Sequence, residues 1–157
     1  MRWLHISDIH YNPVIDGRST KELRNKLPSY LQQVVAQFGG RVDEVFVTGD
    51  FRHALYQKDT DAVADASVTF VCELAASVGV DNRQNIHIVP GNHDFTRFAK
   101  SNDIEKLDRI IKAYKTDDGL FQKEDAKWLL RRFSFFKRVS NIMYSKYSTK
   151  PVWPKSL

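Results

Sequence analysis

Three short segments of this chain gather carboxylate, imidazole and amide side chains within a few residues of one another. They are Asp8-Ile9-His10, Gly49-Asp50-Phe51-Arg52-His53 and Gly91-Asn92-His93-Asp94. A divalent cation of hard or borderline character accepts these donor types together. Asp8 and His10, two residues apart, can point to one side. Asp50 comes from the middle segment and is placed to bridge two ions, and Asn92 can offer its amide oxygen to the second. Two cations about 3.5–4 Å apart clamp a phosphoryl oxygen and make a bound hydroxide near neutral pH. The spacing is even, since Asp8, Asp50 and Asn92 fall at 42-residue intervals.

What must position them are strands. Each segment follows an apolar run: Arg2 to Ser7, Val45 to Thr48, and Asn85 to Val89. Helical patterns fill the gaps. Ser19-Thr20-Lys21-Glu22 fits a capping box, followed by Leu23, Leu27, Leu31, Val34, Val35 and Phe38 at helical steps. Pro28 predicts a kink or restart, and Gly39-Gly40 an end. Asp59 or Thr60 can cap a second helix, with Val63, Ala66, Phe70, Val71 and Leu74 as its stripe and Gly79 closing it. Strands alternating with helices of this length predict parallel pairing through right-handed crossovers. The second strand reads as buried on both faces, and Trp3, Leu4 and Ile6 as the buried residues of the first. Parallel α/β sheets bind ligands beyond the carboxyl ends of their strands, where all three segments fall. His5 and His87 lie inside strands and read as hydrogen-bonded structural residues. Arg52 reads equally as a phosphate contact or a surface residue.

The last third differs. Ser101 or Asn102 caps a helix with Ile104, Leu107, Ile110, Ile111 and Tyr114 inward, Asp117-Asp118-Gly119 is a turn, and residues 122–141 read as one further helix. Residues 97–157 hold fifteen basic and seven acidic residues, a net of +8, inside a chain whose formal charge is +5. Basic residues interleaved with Trp128, Phe133, Phe135 and Phe136 can bind single-stranded nucleic acid or a cap-domain ligand. An aromatic stripe at helical spacing is first of all core.

Composition bounds the class. Apolar content of 42% and charged content of 27% suit one globular domain. The one cysteine, Cys72, excludes an internal disulfide. No run approaches the ~18 apolar residues of a membrane span, and no signal-peptide pattern is visible. The expectation is a cytoplasmic protein with no membrane partner.

Asp-x-His, Gly-Asp and Gly-Asn-His-Asp, in this order and each after a strand, resemble the first three motifs of the calcineurin-like metallophosphoesterases. The resemblance covers about residues 2–96. It implies a binuclear Mn, Fe or Zn hydrolase of phosphoesters on a two-sheet sandwich flanked by helices. It further implies that Asp8 and His10 bind one ion, that Asp50 bridges, and that Asn92 binds the other. His93 would be the general acid or a stabiliser of phosphoryl charge, with Asp94 behind it.

The departures are as informative. Where the family often has an acid three residues after the metal Asp, this chain has His53, so Asp94 or an outside group must orient His93, or His53 takes another part. Ala54 and Leu55 replace the Asp-Arg-Gly ending of protein Ser/Thr phosphatases. The family's later histidine motifs are absent, since the five histidines are at 5, 10, 53, 87 and 93. Roughly one ion is therefore expected to be well held, because zinc sites use three or four protein ligands. The expected architecture is an α/β, parallel βαβαβ core of a metallophosphoesterase-type sandwich over residues 1–100. A helical, basic-aromatic segment of the same domain, a cap or an insertion, follows it over 101–157. The chain reads as the amino-terminal portion of a longer enzyme or a shortened relative with impaired activity. The expected function is a metal-dependent phosphoesterase, with a phosphodiester, nucleotide or nucleic acid favoured over a monoester. The alternative is a catalytically silent phosphate- or nucleic-acid-binding module.

Overall fold

A computed structural model describes residues 1–11, 17–52, 61–96, 101–115 and 123–145. Three parallel strands, β1 (Trp3–Ile6), β2 (Glu44–Thr48) and β3 (Ile86–Val89), form one sheet in the order β1-β2-β3. Helices α1 (Arg18–Gln37) and α2 (Asp61–Ser77) make the two crossovers, and a 3-10 turn, Arg83–Asn85, leads into β3. Helices α3 (Ser101–Lys115), α4 (Lys123–Arg132) and α5 (Ser134–Tyr144) follow.

Strand alternation sorts the sheet into two unlike faces. Val45, Val47 and Ile86 are buried and Leu4, Ile6 and Ile88 half-buried, in one cluster with Val63, Val68 and Val71 of α2 and Phe135, Phe136, Val139 and Met143 of α5. The other face holds Trp3, His5, Phe46, Thr48, His87 and Val89. It is open: Trp3 is 62% exposed and Val89 50%. The expectation of a buried Trp3, and of a β2 buried on both faces, is thereby corrected. Hydrophobicity marks a strand, but only tertiary packing decides which of its faces is covered. His5 Nε2 meets Thr48 Oγ1 at 2.6 Å and His87 Nε2 meets Glu44 Oε2 at 2.6 Å. Both histidines are hydrogen-bonded within the sheet, as read.

Other local expectations shift. The N-cap of α1 is Gly17, with no side-chain cap bond, so Ser19 and Thr20 lie inside the helix. Glu22 instead pairs with Arg18 one turn back, at 2.9 Å. Pro28 stays within a continuous α1, while Leu23 and Phe38 are exposed rather than part of the buried stripe. Gly39 and Gly40, both at positive φ, end it as expected. Ile104 and Ile111 of α3 are exposed too, whereas Ile110 is buried. The further helix is two: Phe133 separates α4 from α5.

Helix α5 is integral to the core. Beyond its buried aromatics, Tyr144 Oη donates to the Ile86 carbonyl at 2.7 Å, and Arg83 Nη1 donates to the Ile142 carbonyl at 3.2 Å. A lone carbonyl at a helix end wants such a cationic donor. Much of the basic character of this third is met inside it. Arg132 pairs with Asp103 at 2.6 Å and Arg109 with Asp125 at 3.0 Å, while Lys106 and Arg132 lie over the Trp128 ring. The Asp59/Thr60 cap and the Asp117-Asp118-Gly119 turn lie outside the described residues.

Candidate metal centre

The three strands end together, so their following loops meet. Backbone bonds lace the first loop to the second: His10 N donates to Asp50 O at 2.8 Å and Tyr11 N to Phe51 O at 3.0 Å. The second and third loops touch backbone to backbone. A Cβ on Gly49 would come within 2.3 Å of Gly91 Cα, and one on Gly91 would collide with the Asp50 carboxylate. Gly49 also sits at φ +85°, where side chains are strained. Both glycines are needed for this approach.

Within that junction, donor atoms of His10, Asp50 and His93 all lie within 4.8 Å of one another. Among the described residues this is the one cluster of three metal-ligating side chains. The His10 and His93 rings stand edge to face, 4.7 Å between centroids. His10 Nδ1 lies 3.3 Å from the Arg52 carbonyl. A carbonyl only accepts, so Nδ1 carries the hydrogen and Nε2 keeps its lone pair. That division of the ring is the usual one for a histidine ligand. Asp50 is buried, and its Oδ1 accepts from the His93 backbone N–H at 2.7 Å. Asp8 stands at the rim, its side chain 64% exposed and its Oδ1 3.5 Å from His10 Nε2. A hydrogen bond from Ser7 Oγ holds its carboxyl below the ordinary value. Asn92 is exposed in the turn between Gly91 and His93. His53 lies outside the described residues.

Strain concentrates here. Asp8, His10 and Asp50 are the non-glycine residues with positive φ among the described residues, at 55°, 44° and 56°. Asp and His tolerate this region better than most, yet each position costs on the order of 1–3 kcal/mol and persists where its surroundings over-determine it.

Asp94 braces the loops. Fully buried, it accepts from Phe51 N at 2.9 Å with one oxygen and from Gly91 N at 3.0 Å with the other. Burial pushes its carboxyl up to about 6, against the pull of those amides. It is the strut between loops two and three. Arg52 is neither a surface residue nor an open phosphate contact: it is 5% exposed, and its Nε donates to the His93 carbonyl at 3.1 Å. Its place two residues past Asp50, in a loop otherwise suited to ligands, was the signal available in the sequence. What it would touch was not.

Such an arrangement can hold a cation: donors of mixed N and O type lie close together on loops joined backbone to backbone. The profile of the calcineurin-like phosphoesterases matches residues 1–146, and the chain belongs to that family. It is also similar to an uncharacterised metallophosphoesterase-like protein, YydB, of Bacillus subtilis (strain 168), with 29% identity over 152 residues. That match takes in 94% of this chain and 29% of the relative, so the chain spans less than a third of the relative's length. No solved structure matches. No described helix is long and apolar enough to cross a membrane.

Proposed function

We propose that the loops after β1, β2 and β3 form the metal centre of a phosphoester hydrolase. The carrying observation is the convergence of His10, Asp50 and His93 donor atoms, from three separate strand ends, within 4.8 Å. In this reading His10 and Asp50, with Asp8 at the rim, would hold the first cation. Asn92 reaches toward a second. The mixed imidazole and carboxylate set suits Mn, Fe or Zn. When bound, such cations polarise a phosphoryl oxygen and lower the pKa of water.

The chain's own residues supply the rest. Asp50 is fixed by the His93 amide, and His10 presents Nε2 because Nδ1 is committed to the Arg52 carbonyl. His93 donates a proton to the leaving oxygen, since general acids act from hydrogen-bond reach of the atom they protonate. Asp94 keeps the loops in register through the Phe51 and Gly91 amides. His53, three residues past Asp50 in the sequence, is proposed as a further catalytic residue. A phosphodiester, as a nucleotide or nucleic acid, is favoured by the +8 charge of residues 97–157.

Titration with Mn²⁺ followed by hydrolysis of bis-p-nitrophenyl phosphate and p-nitrophenyl phosphate tests this. Roughly one tight ion is expected, with the diester turned over faster. Asp50→Ala should abolish tight binding. His93→Ala should keep the ion and lose activity by 10²–10⁴-fold, the usual worth of general acid catalysis. Two equally tight sites, or hydrolysis indifferent to both substitutions, would sink the reading. Phosphate binding with no metal-dependent turnover would instead favour the silent binding module.

A further inference from the structure

We propose that Arg52 is the positioning residue that sets both imidazoles of the centre at once, an inference that rests on the metal-centre reading above. Three independent contacts support it. Its backbone carbonyl accepts from His10 Nδ1, 3.3 Å away, and so fixes that ring's tautomer. Its guanidinium Nε donates to the His93 carbonyl at 3.1 Å, and so holds the turn that carries the second imidazole. Its guanidinium carbon lies 5.1 Å from the centroid of the Phe135 ring of α5, a cation–π arrangement. A parallel bridge between Tyr11 and Arg52 completes the connection to the first loop.

An arginine suits this place for a physical reason. A planar fork can stack on an aromatic ring while an edge N–H points to a carbonyl, and its charge survives burial better than an ammonium. Arg52 is 5% exposed, and the nearby Asp94 carboxylate offsets part of its desolvation. The contact chain runs from Phe135, in the hydrophobic core, through the guanidinium to the backbone of His93. Packing of α5 thereby reaches the centre without α5 contributing a ligand.

The test uses the full chain and two variants, Arg52→Met and Arg52→Lys. Methionine keeps an apolar stem and removes the fork. Lysine keeps a donor and the charge but cannot stack flat. In metal-free protein, the His93 ring carbon and nitrogen resonances of Arg52→Met should shift or double, while the His10 tautomer pattern stays, since the residue 52 carbonyl remains. With Mn²⁺ bound, kcat for bis-p-nitrophenyl phosphate should fall about tenfold, in line with loss of an outer-shell partner, with KM and Mn²⁺ affinity within about twofold. Arg52→Lys should restore part of kcat and bring the His93 resonances partway back. A folded Arg52→Met with unmoved His93 resonances and unchanged kcat overturns the proposal. Where that variant does not fold, unmoved His93 resonances in Arg52→Lys do the same. Wild-type protein that binds no Mn²⁺ refutes the metal-centre reading by itself, and the ring resonances of metal-free protein then still decide whether Arg52 holds His93.

Discussion

Single residues near the centre are divided between chemistry and support, and burial alone does not draw the line, since Asp50 is itself buried. Asp8 and Asn92 are exposed and available, whereas Asp94 is sealed and spends both oxygens on backbone amides. An unpartnered buried amide costs about 1–3 kcal/mol. Asp94→Ala strands two, those of Phe51 and Gly91, so urea denaturation should show a loss of about 3 kcal/mol. A loss under about 1 kcal/mol would mean that the strut is dispensable. The positive φ angles of Asp8, His10 and Asp50 are the converse case, strain held where ligands are wanted. Side-chain chemistry of this kind, carboxylates and imidazoles after strands, is legible in sequence because few other roles need it. The support is less legible, since any buried polar group can brace a loop.

At the scale of elements, what matters is how α5 reaches the sheet. Tyr144 donates to the Ile86 carbonyl at 2.7 Å, tying the end of α5 to the start of β3. Burial raises the Tyr144 phenol above its ordinary pKa, so it remains a donor throughout the neutral range. Tyr144→Phe removes that donor and leaves the ring, for an expected loss of about 1 kcal/mol in thermal or urea unfolding. Wild-type stability in the variant would show that this bond is replaced by water at no cost. The helix periodicity of residues 122–141 was visible, but the break at Phe133 was not. The aromatic side chains on either side satisfy one helical stripe as well as two.

Among the described residues, the larger-scale feature is a parallel sheet covered by helices on one side. Parallel sheets ordinarily bury both faces, and here the described helices α2 and α5 share their core with the Val45, Val47 and Ile86 face alone. Adjacent faces of the sheet should therefore answer differently to truncation. Val47→Ala, at a fully buried position, should cost about 2–3 kcal/mol through lost burial and the cavity left behind. Trp3→Ala, at 62% exposure, should cost less than about 1 kcal/mol despite its larger side chain. Equal losses would show that the open face is covered in solution.

The sequence alone determined the strands, their parallel pairing and the three loops that carry the donor residues. Apolar runs precede each donor segment, and Asp8, Asp50 and Asn92 recur at a fixed 42-residue spacing; the runs and turns are local signals. Tertiary structure decided which donors share a point in space, that Arg52 and Asp94 lock the loops, and that the described helices cover one sheet face and not the other. Those outcomes depend on contacts between residues about 40 positions apart, such as Arg52 with His93 and Phe51 with Asp94. Only the closing of the chain on itself brings such pairs together, and no local periodicity encodes it.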